Sequence, residues 1–189
     1  MANPDTPHGF EFVRDLVTGS SPNYLTYEPF VTAGTTVYRG QFVKINAAGQ
    51  IAAISGTFAN DSGILNGACV GVCAANRTGV GSTVTCPIIL AKDAVFRVQA
   101  DGSLGTTITA LQVLIGNGDD RFNITNPNSG DALGNSIAEL AVAGTGSAQY
   151  LQLVGVDSRP DNEYGANIKV HVRFDSRLFL ASPLFITSA

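Results

Sequence analysis

Apolar and polar positions alternate with a period of two along much of the chain, which predicts strands. The alternation is cleanest near the end. There Ile168, Val170, Val172 and Phe174 fall on one side and Lys169, His171, Arg173 and Asp175 on the other. Residues 37–54 predict a hairpin with Val43 and Ile45 on one face, Phe42 and Lys44 on the other, and a turn from Asn46 to Gly49. Over 95–99, Phe96 and Val98 give the core face against Val95, Arg97 and Gln99. Pro87 restricts the residues before them to an edge or a strand start. The run ACVGVCAAN, 68–76, reads as a buried strand that another backbone approaches closely at Gly71. FEFVRDLV, 10–17, is mostly apolar and fits either a strand or an arm segment packed on another subunit.

Other stretches lack this period. Residues 2–7 carry Pro4 and Pro7 and no apolar repeat, so they predict an extended arm. Residues 103–115 mix both periods, and their Thr and Ile content favours strand or irregular structure. Residues 116–136 are the most polar stretch and predict a long exposed loop. No repeat of 20 to 50 residues is evident. The expected fold is all-β: a single β-barrel or β-sandwich domain over 21–189, an N-terminal extended arm over 1–20, and one long polar loop.

Composition sharpens this picture. The 189 residues suit one domain, and 21 glycines favour short strands and tight turns. Hydrophobic residues make up 44% and charged residues only 14%, about half the usual soluble share. Gly, Ser, Thr and Asn must therefore cover much of the surface, which suits close packing against neighbours. A net charge of −4 argues against nucleic acid as a partner, because displacing counterions from phosphates needs a basic face. No apolar run approaches the ~20 residues of a membrane helix, and no secretory pattern opens the chain, so no membrane partner and folding in a cytoplasm are expected.

The search for chemistry leaves no catalytic, cofactor or metal assignment. Gly79 to Thr83 resembles a phosphate loop but lacks its Lys, and Gly116-Asn117-Gly118 runs into Asp119-Asp120-Arg121 instead of a dinucleotide fingerprint. His8 sits in the arm and His171 on a polar strand face, and no nucleophile elbow accompanies either. Asp119, Asp120 and Asp131, or Asp157, Asp161 and Glu163, offer calcium-type oxygens without EF-hand spacing, so they read as turn-forming carboxylates. Cys69, Cys73 and Cys86 lack a fourth zinc ligand nearby. On one strand Cys69 and Cys73 would stand ~13 Å apart, so buried reduced thiols are expected.

Three segments go further. MANPDTPHGFEFVRDLVTG at 1–19, AKDAVFRVQADG at 91–102 and LQLVGVDSRPDNEYGANIKVHVRF at 151–174 resemble the opening, middle and closing signatures of a widespread family of tailed-phage structural proteins. Some members of that family are assigned as capsid cement or decoration proteins. The resemblance implies a non-enzymatic virion protein on the capsid exterior, assembled in the host bacterial cytoplasm. Its partners would be the major capsid protein and further copies of itself, with a trimer expected, and it would take no small-molecule substrate. Candidate interface residues follow from the same segments: Pro4, Asp5, Thr6, Pro7, Phe10 and Phe12 in the arm, and Arg159, Asp161, Asn162 and Glu163 in the closing turn. In that turn Pro160 fixes φ, Asp161 and Asn162 can bond their own backbone, Gly165 permits positive φ, and Arg159 is placed to pair with Asp161, Glu163 or a neighbouring subunit. The final strand, K-V-H-V-R, departs from the bulkier, often Trp-containing run of that family. The alternative functions are a virion-displayed host-surface or carbohydrate-binding module, with Tyr24, Tyr27, Phe30 and Tyr38 as aromatic platforms, and a tail or head-completion protein.

Overall fold

A computed structural model describes residues 3–16, 26–46, 48–56, 70–79, 84–116, 120–143, 146 and 149–178, apart from the side chains of Thr26, Tyr27 and Val70. The fold is all-β, a curled half-barrel with a short helix. The strands are β1 (Glu11–Asp15), β2 (Thr26–Tyr27), β3 (Phe30–Val31), β4 (Thr36–Val37), β5 (Phe42–Ile45), β6 (Gln50–Ala53) and β7 (Val70–Cys73). They continue as β8 (Arg77–Thr78), β9 (Ile88–Leu90), β10 (Ala94–Gln99), β11 (Asn123–Thr125), β12 (Glu139–Ala141), β13 (Leu151–Val156) and β14 (Lys169–Phe174). The helix α1 spans Ile108–Gly116, and a 3-10 turn spans Ser176–Leu178.

A four-stranded sheet runs β1-β10-β14-β13, and a six-stranded sheet runs β2-β9-β7-β5-β6-β3. Period two sets what lies between them. Phe42 and Val72 point from the six-stranded sheet into one core, where they meet Phe96, Val98, Val170, Val172 and Phe174 of the other sheet. Phe42 stacks on Phe174 with centroids 3.9 Å apart and planes 19° apart. The opposite face of the six-stranded sheet carries a second core of Val43, Ile45, Ile51, Cys73 and Ile88, completed by Val31, Val37 and Cys86. The hairpin alternation predicted for 42–45 is thus a division between two cores.

Local chemistry places the elements. Asn46 Oδ1 accepts from the amides of Ala48 and Gln50 at 3.0 and 2.9 Å, and Gly49 has φ 73°, so the β5–β6 turn closes as its residues predict. Gly71 lets β9 approach: a Cβ there would stand 2.7 Å from the Ile89 carbonyl oxygen. Cys73 and Cys86 are buried free thiols, and Cys86 Sγ donates to Ala75 O at 3.3 Å. Their mutual hydrogen bond, with burial added, pushes the Cys73 thiol up from its ordinary range. Cys69 lies outside the described residues.

Four expectations change. The segment 103–115 contains α1: Thr107 Oγ1 caps it by accepting from Ala110 N at 3.3 Å. Leu111 is fully buried, and Leu114 and Ile115 pack on the first core, an i, i+3, i+4 stripe that outweighs the strand preference of Thr and Ile. Within 116–136, β11 pairs with β12 and buries Phe122 and Ile124, while Asp131 Oδ1 accepts from Leu133 N and Asn135 N and leaves Leu133 exposed at the tip. Val95, expected on the polar side, is fully buried, so β10 is covered on both faces. Asp175, also expected on the polar side, is buried: β14 ends at Phe174, and Asp175 turns into ion pairs with Arg121 Nε and Arg177 Nη2, both at 2.7 Å.

The opening segment is part of the domain. Phe10 N donates to Gly40 O at 2.9 Å, and β1 pairs antiparallel with β10, Glu11 opposite Arg97 and Phe12 opposite Phe96. Residues 3–16 thus bond to their own subunit, and of the two readings of 10–17 the strand forms over Glu11–Asp15.

Candidate functional site

The residues of the closing turn form a closed corner between β13 and β14. Asn162 N donates to Arg159 O at 3.1 Å, and the Asn162 carboxamide ties three backbone groups at 2.8 Å, donating to Asp157 O and Lys169 O and accepting from Lys169 N. Gly165 at φ 137° and Asn167 at φ 58° complete the bend. The opening residues dock into it. Asn3 Nδ2 donates to Glu163 O and Ala166 O at 2.8 and 3.0 Å, Glu163 N donates to Asn3 Oδ1 at 2.9 Å, and Asn167 Nδ2 donates to Asn3 O at 3.3 Å.

The middle segment joins them. Gln99, buried at the end of β10, accepts from Thr6 N at 3.3 Å and donates to Asp5 Oδ1 at 3.0 Å and Glu139 Oε1 at 3.2 Å. Burial pushes the Glu139 carboxyl up, the Gln99 bond opposes this, and the charges of Asp5 and Asp101 add to the rise. The opening, middle and closing segments are thus one hydrogen-bonded unit.

A row of charges runs beside it on the outer face of the four-stranded sheet. Arg97 grips Glu11 through Nε, at 2.7 Å, and through Nη2, and it donates from Nη1 to Asp157 Oδ2 at 3.2 Å. Arg159 Nε donates to the same Asp157 oxygen at 2.7 Å. Burial alone would raise the Asp157 carboxyl, but the bond and charge of Arg159, with Arg97, hold it below the usual carboxylate range. Burial likewise works against the Arg97 cation, and Glu11 then Asp157 outweigh it and raise its pKa. The bond that Arg159 makes is thus to Asp157, two residues before it at the end of β13, and Arg97 of β10 shares that carboxylate.

The sequence-derived candidates fall into two groups. Pro4, Asp5, Thr6, Asp161 and Glu163 are exposed on the corner, with Pro7, Arg159 and Asn162 half-buried beside them. Phe10 belongs to the subunit's own core, at 5.2 Å from Phe174, and half-buried Phe12 lies edge-on to Phe96 at 6.1 Å. The aromatic platform residues do not form one face: Phe30 is exposed on β3, whereas Tyr38 is half-buried with its ring against Gly130. Tyr24 and the Tyr27 side chain lie outside the described residues, as does Asp119. Sequence reasoning missed Asn3, Gln99, Arg97 and Asp157. Most of their partners are far away in the chain: Asp157 is 60 residues from Arg97, and Asn3 is 160 to 164 from its partners in the closing turn.

Two openings flank the corner. A cleft of about 220 Å³ is bounded by Thr6, His8, Glu11, Arg97, Arg159 and Lys169. A groove of about 740 Å³ lies between β1 and the β7–β9 side, lined by His8, Phe12, Arg39, Pro87 and Ile89 among others. No family, no curated sequence and no solved structure matches the chain.

Two predictions arise here. Asn3→Ala removes a buried carboxamide that bonds the backbone of Glu163 and Ala166 in the turn, and it should lower the unfolding free energy by about 1–3 kcal/mol in urea titrations. Faster proteolysis ahead of residue 10 should accompany it, while wild-type stability would sink the clamp. His171 stands opposite Arg97, and burial, with Arg97 and Arg14, lowers its pKa against the pull of Asp157. A base depressed in the fold binds protons more readily when unfolded, so its contribution is present above about pH 6.5 and is lost as pH falls through its lower folded value. Stability should therefore fall from pH 7 to 5 less steeply in His171→Gln than in the wild type, and parallel curves would refute this.

Proposed function

We propose that the protein is a structural subunit of a tailed-phage virion that binds the outside of the capsid and stabilises it, as a homo-oligomer with a trimer as the expected form. The observation that supports this reading is the convergence of the opening, middle and closing segments on one corner. Residues separated along the chain that carry the resemblance belong to a single structural feature, so the likeness is of one assembled surface. That surface presents exposed Pro4 and Tyr164 above a rigid hydrogen-bonded base, and rigid aromatic residues at low ordering cost are good interface anchors. A protein of this kind works by complementarity and mass action: each copy bound to the assembled shell, and not to its dissociated parts, shifts the balance towards the shell.

Co-sedimentation of the purified protein with undecorated capsids of the encoding phage tests the proposal, with its mass read by light scattering. Saturable binding at a ratio set by icosahedral symmetry is expected. A stable oligomer that ignores capsids and binds host envelope glycans would replace the proposal with the adhesion module.

A further inference from the structure

The geometry points to the cleft beside the corner as a carboxylate-binding site that receives an acidic side chain of a partner protein. Three permanent cations, Arg97, Arg159 and Lys169, face it with one carboxylate, Glu11, in a chain whose net charge is −4. The bookkeeping of partners decides which of them are available. Arg97 is consumed by Glu11 and Asp157, and Glu11 is in turn held by Arg97. Arg159 is anchored only through Nε, so the outer edge of its guanidinium has no partner among the described residues, and neither does Lys169 Nζ nor the His8 ring. Asp5, the next carboxylate along the arm, is taken by Gln99.

Arg159 is aimed by its anchor, and the backbone that carries Lys169 is fixed. Lys169 is the first residue of β14, and Asn162 holds both its N–H and its C=O, while Asp157 N donates to its carbonyl as well. Asp157 aims the Arg159 fork. A planar, two-oxygen anion matches that fork, with the ammonium of Lys169 beside it. The cleft holds a group of side-chain size, and its walls come from the arm and the closing turn together, so it exists only when these are docked. The choice of a protein carboxylate over a free anion rests on the assembly role proposed above.

The test titrates the full chain with the blocked peptide acetyl-Glu-Gly-Glu-amide, its Gln counterpart and inorganic phosphate, using calorimetry and the amide shifts of Gln99 and Lys169. The Glu peptide should bind saturably, at least tenfold more tightly than the Gln peptide or phosphate, and more weakly as salt rises. Lys169→Gln should weaken it at least tenfold with unchanged melting, because the Asn162 bonds use only the backbone of residue 169. His8→Gln, on an exposed residue, should weaken it by a smaller factor. Absent saturation, undiminished binding by Lys169→Gln, or phosphate binding as tightly as the peptide would overturn the assignment. Since no capsid enters this titration, a protein that sediments with capsids yet ignores the peptide loses the cleft and keeps the assembly role.

Discussion

Truncating Phe174 to alanine is expected to lower the unfolding free energy by about 3–5 kcal/mol, the range for deleting a buried aromatic. Phe174 is 3% exposed and ends β14. Its ring stacks on Phe42 of the other sheet and lies 5.2 Å from Phe10 and 5.6 Å from Phe96. One side chain thus joins both sheets and the opening segment, and its loss leaves a cavity between layers that cannot easily close. Phe174→Leu, which refills most of the volume, should cost less than half as much. Chemical denaturation of the two variants checks this. A loss below about 1.5 kcal/mol for the alanine variant would mean that the layers collapse onto the gap.

Asp175→Ala should cost about 2–4 kcal/mol at neutral pH. The Asp175 side chain is 2% exposed and answers two arginines, and it also accepts from Arg177 N at 2.8 Å. Removing it takes a carboxylate 2.7 Å away from Arg121, which is only 19% exposed, and breaking one side of such a pair is costly. Arg177 is 37% exposed and can turn to water, which keeps the loss below the full penalty of a buried pair. Burial favours the protonated carboxyl, but Arg177 and then Arg121 outweigh it and hold the Asp175 pKa low. The stabilisation is therefore complete above the ordinary carboxylate value near ~3.9 and disappears as pH falls through the lower folded value. The gap between wild type and Asp175→Asn should be constant from pH 8 to 5 and shrink only in stronger acid. A gap that already closes by pH 5 would show that Asp175 is not held ionised by its arginines.

Local signals in the sequence carry much of the fold. The alternation over 168–174, the Asn46–Gly49 turn and the close approach at Gly71 depend on period and on residues adjacent in the chain, and the strands and contacts form as those features require. Over 103–115 the stripe of Leu111, Leu114 and Ile115 competes with the strand preference of Thr and Ile, and packing on the core decides for helix. Asp175 was placed on the polar side because alternation was carried one residue past the end of β14. The corner was visible in pieces: the turn at Pro160 to Gly165 follows from its residue types, but nothing along the chain indicates that Asn3 completes it. Likewise the Arg159–Asp157 pair is local, but that Arg97 shares the same carboxylate comes from topology.

The clamp by Asn3 also fixes an order of events during synthesis. Asn3 and Glu163 are 160 residues apart, and Glu11 and Arg97 are 86 apart, so the opening segment is made well before the residues that clamp it. At about 5–20 residues per second, the strand bearing Phe10 and Phe12 waits on the order of ten seconds before the corner can close. Until residues 94–97 are made it lacks the strand it pairs with. Copies translated side by side on one message are then most exposed to pairing with each other, and chaperone capture or slowed translation between codons 97 and 167 should govern how much protein is recovered soluble.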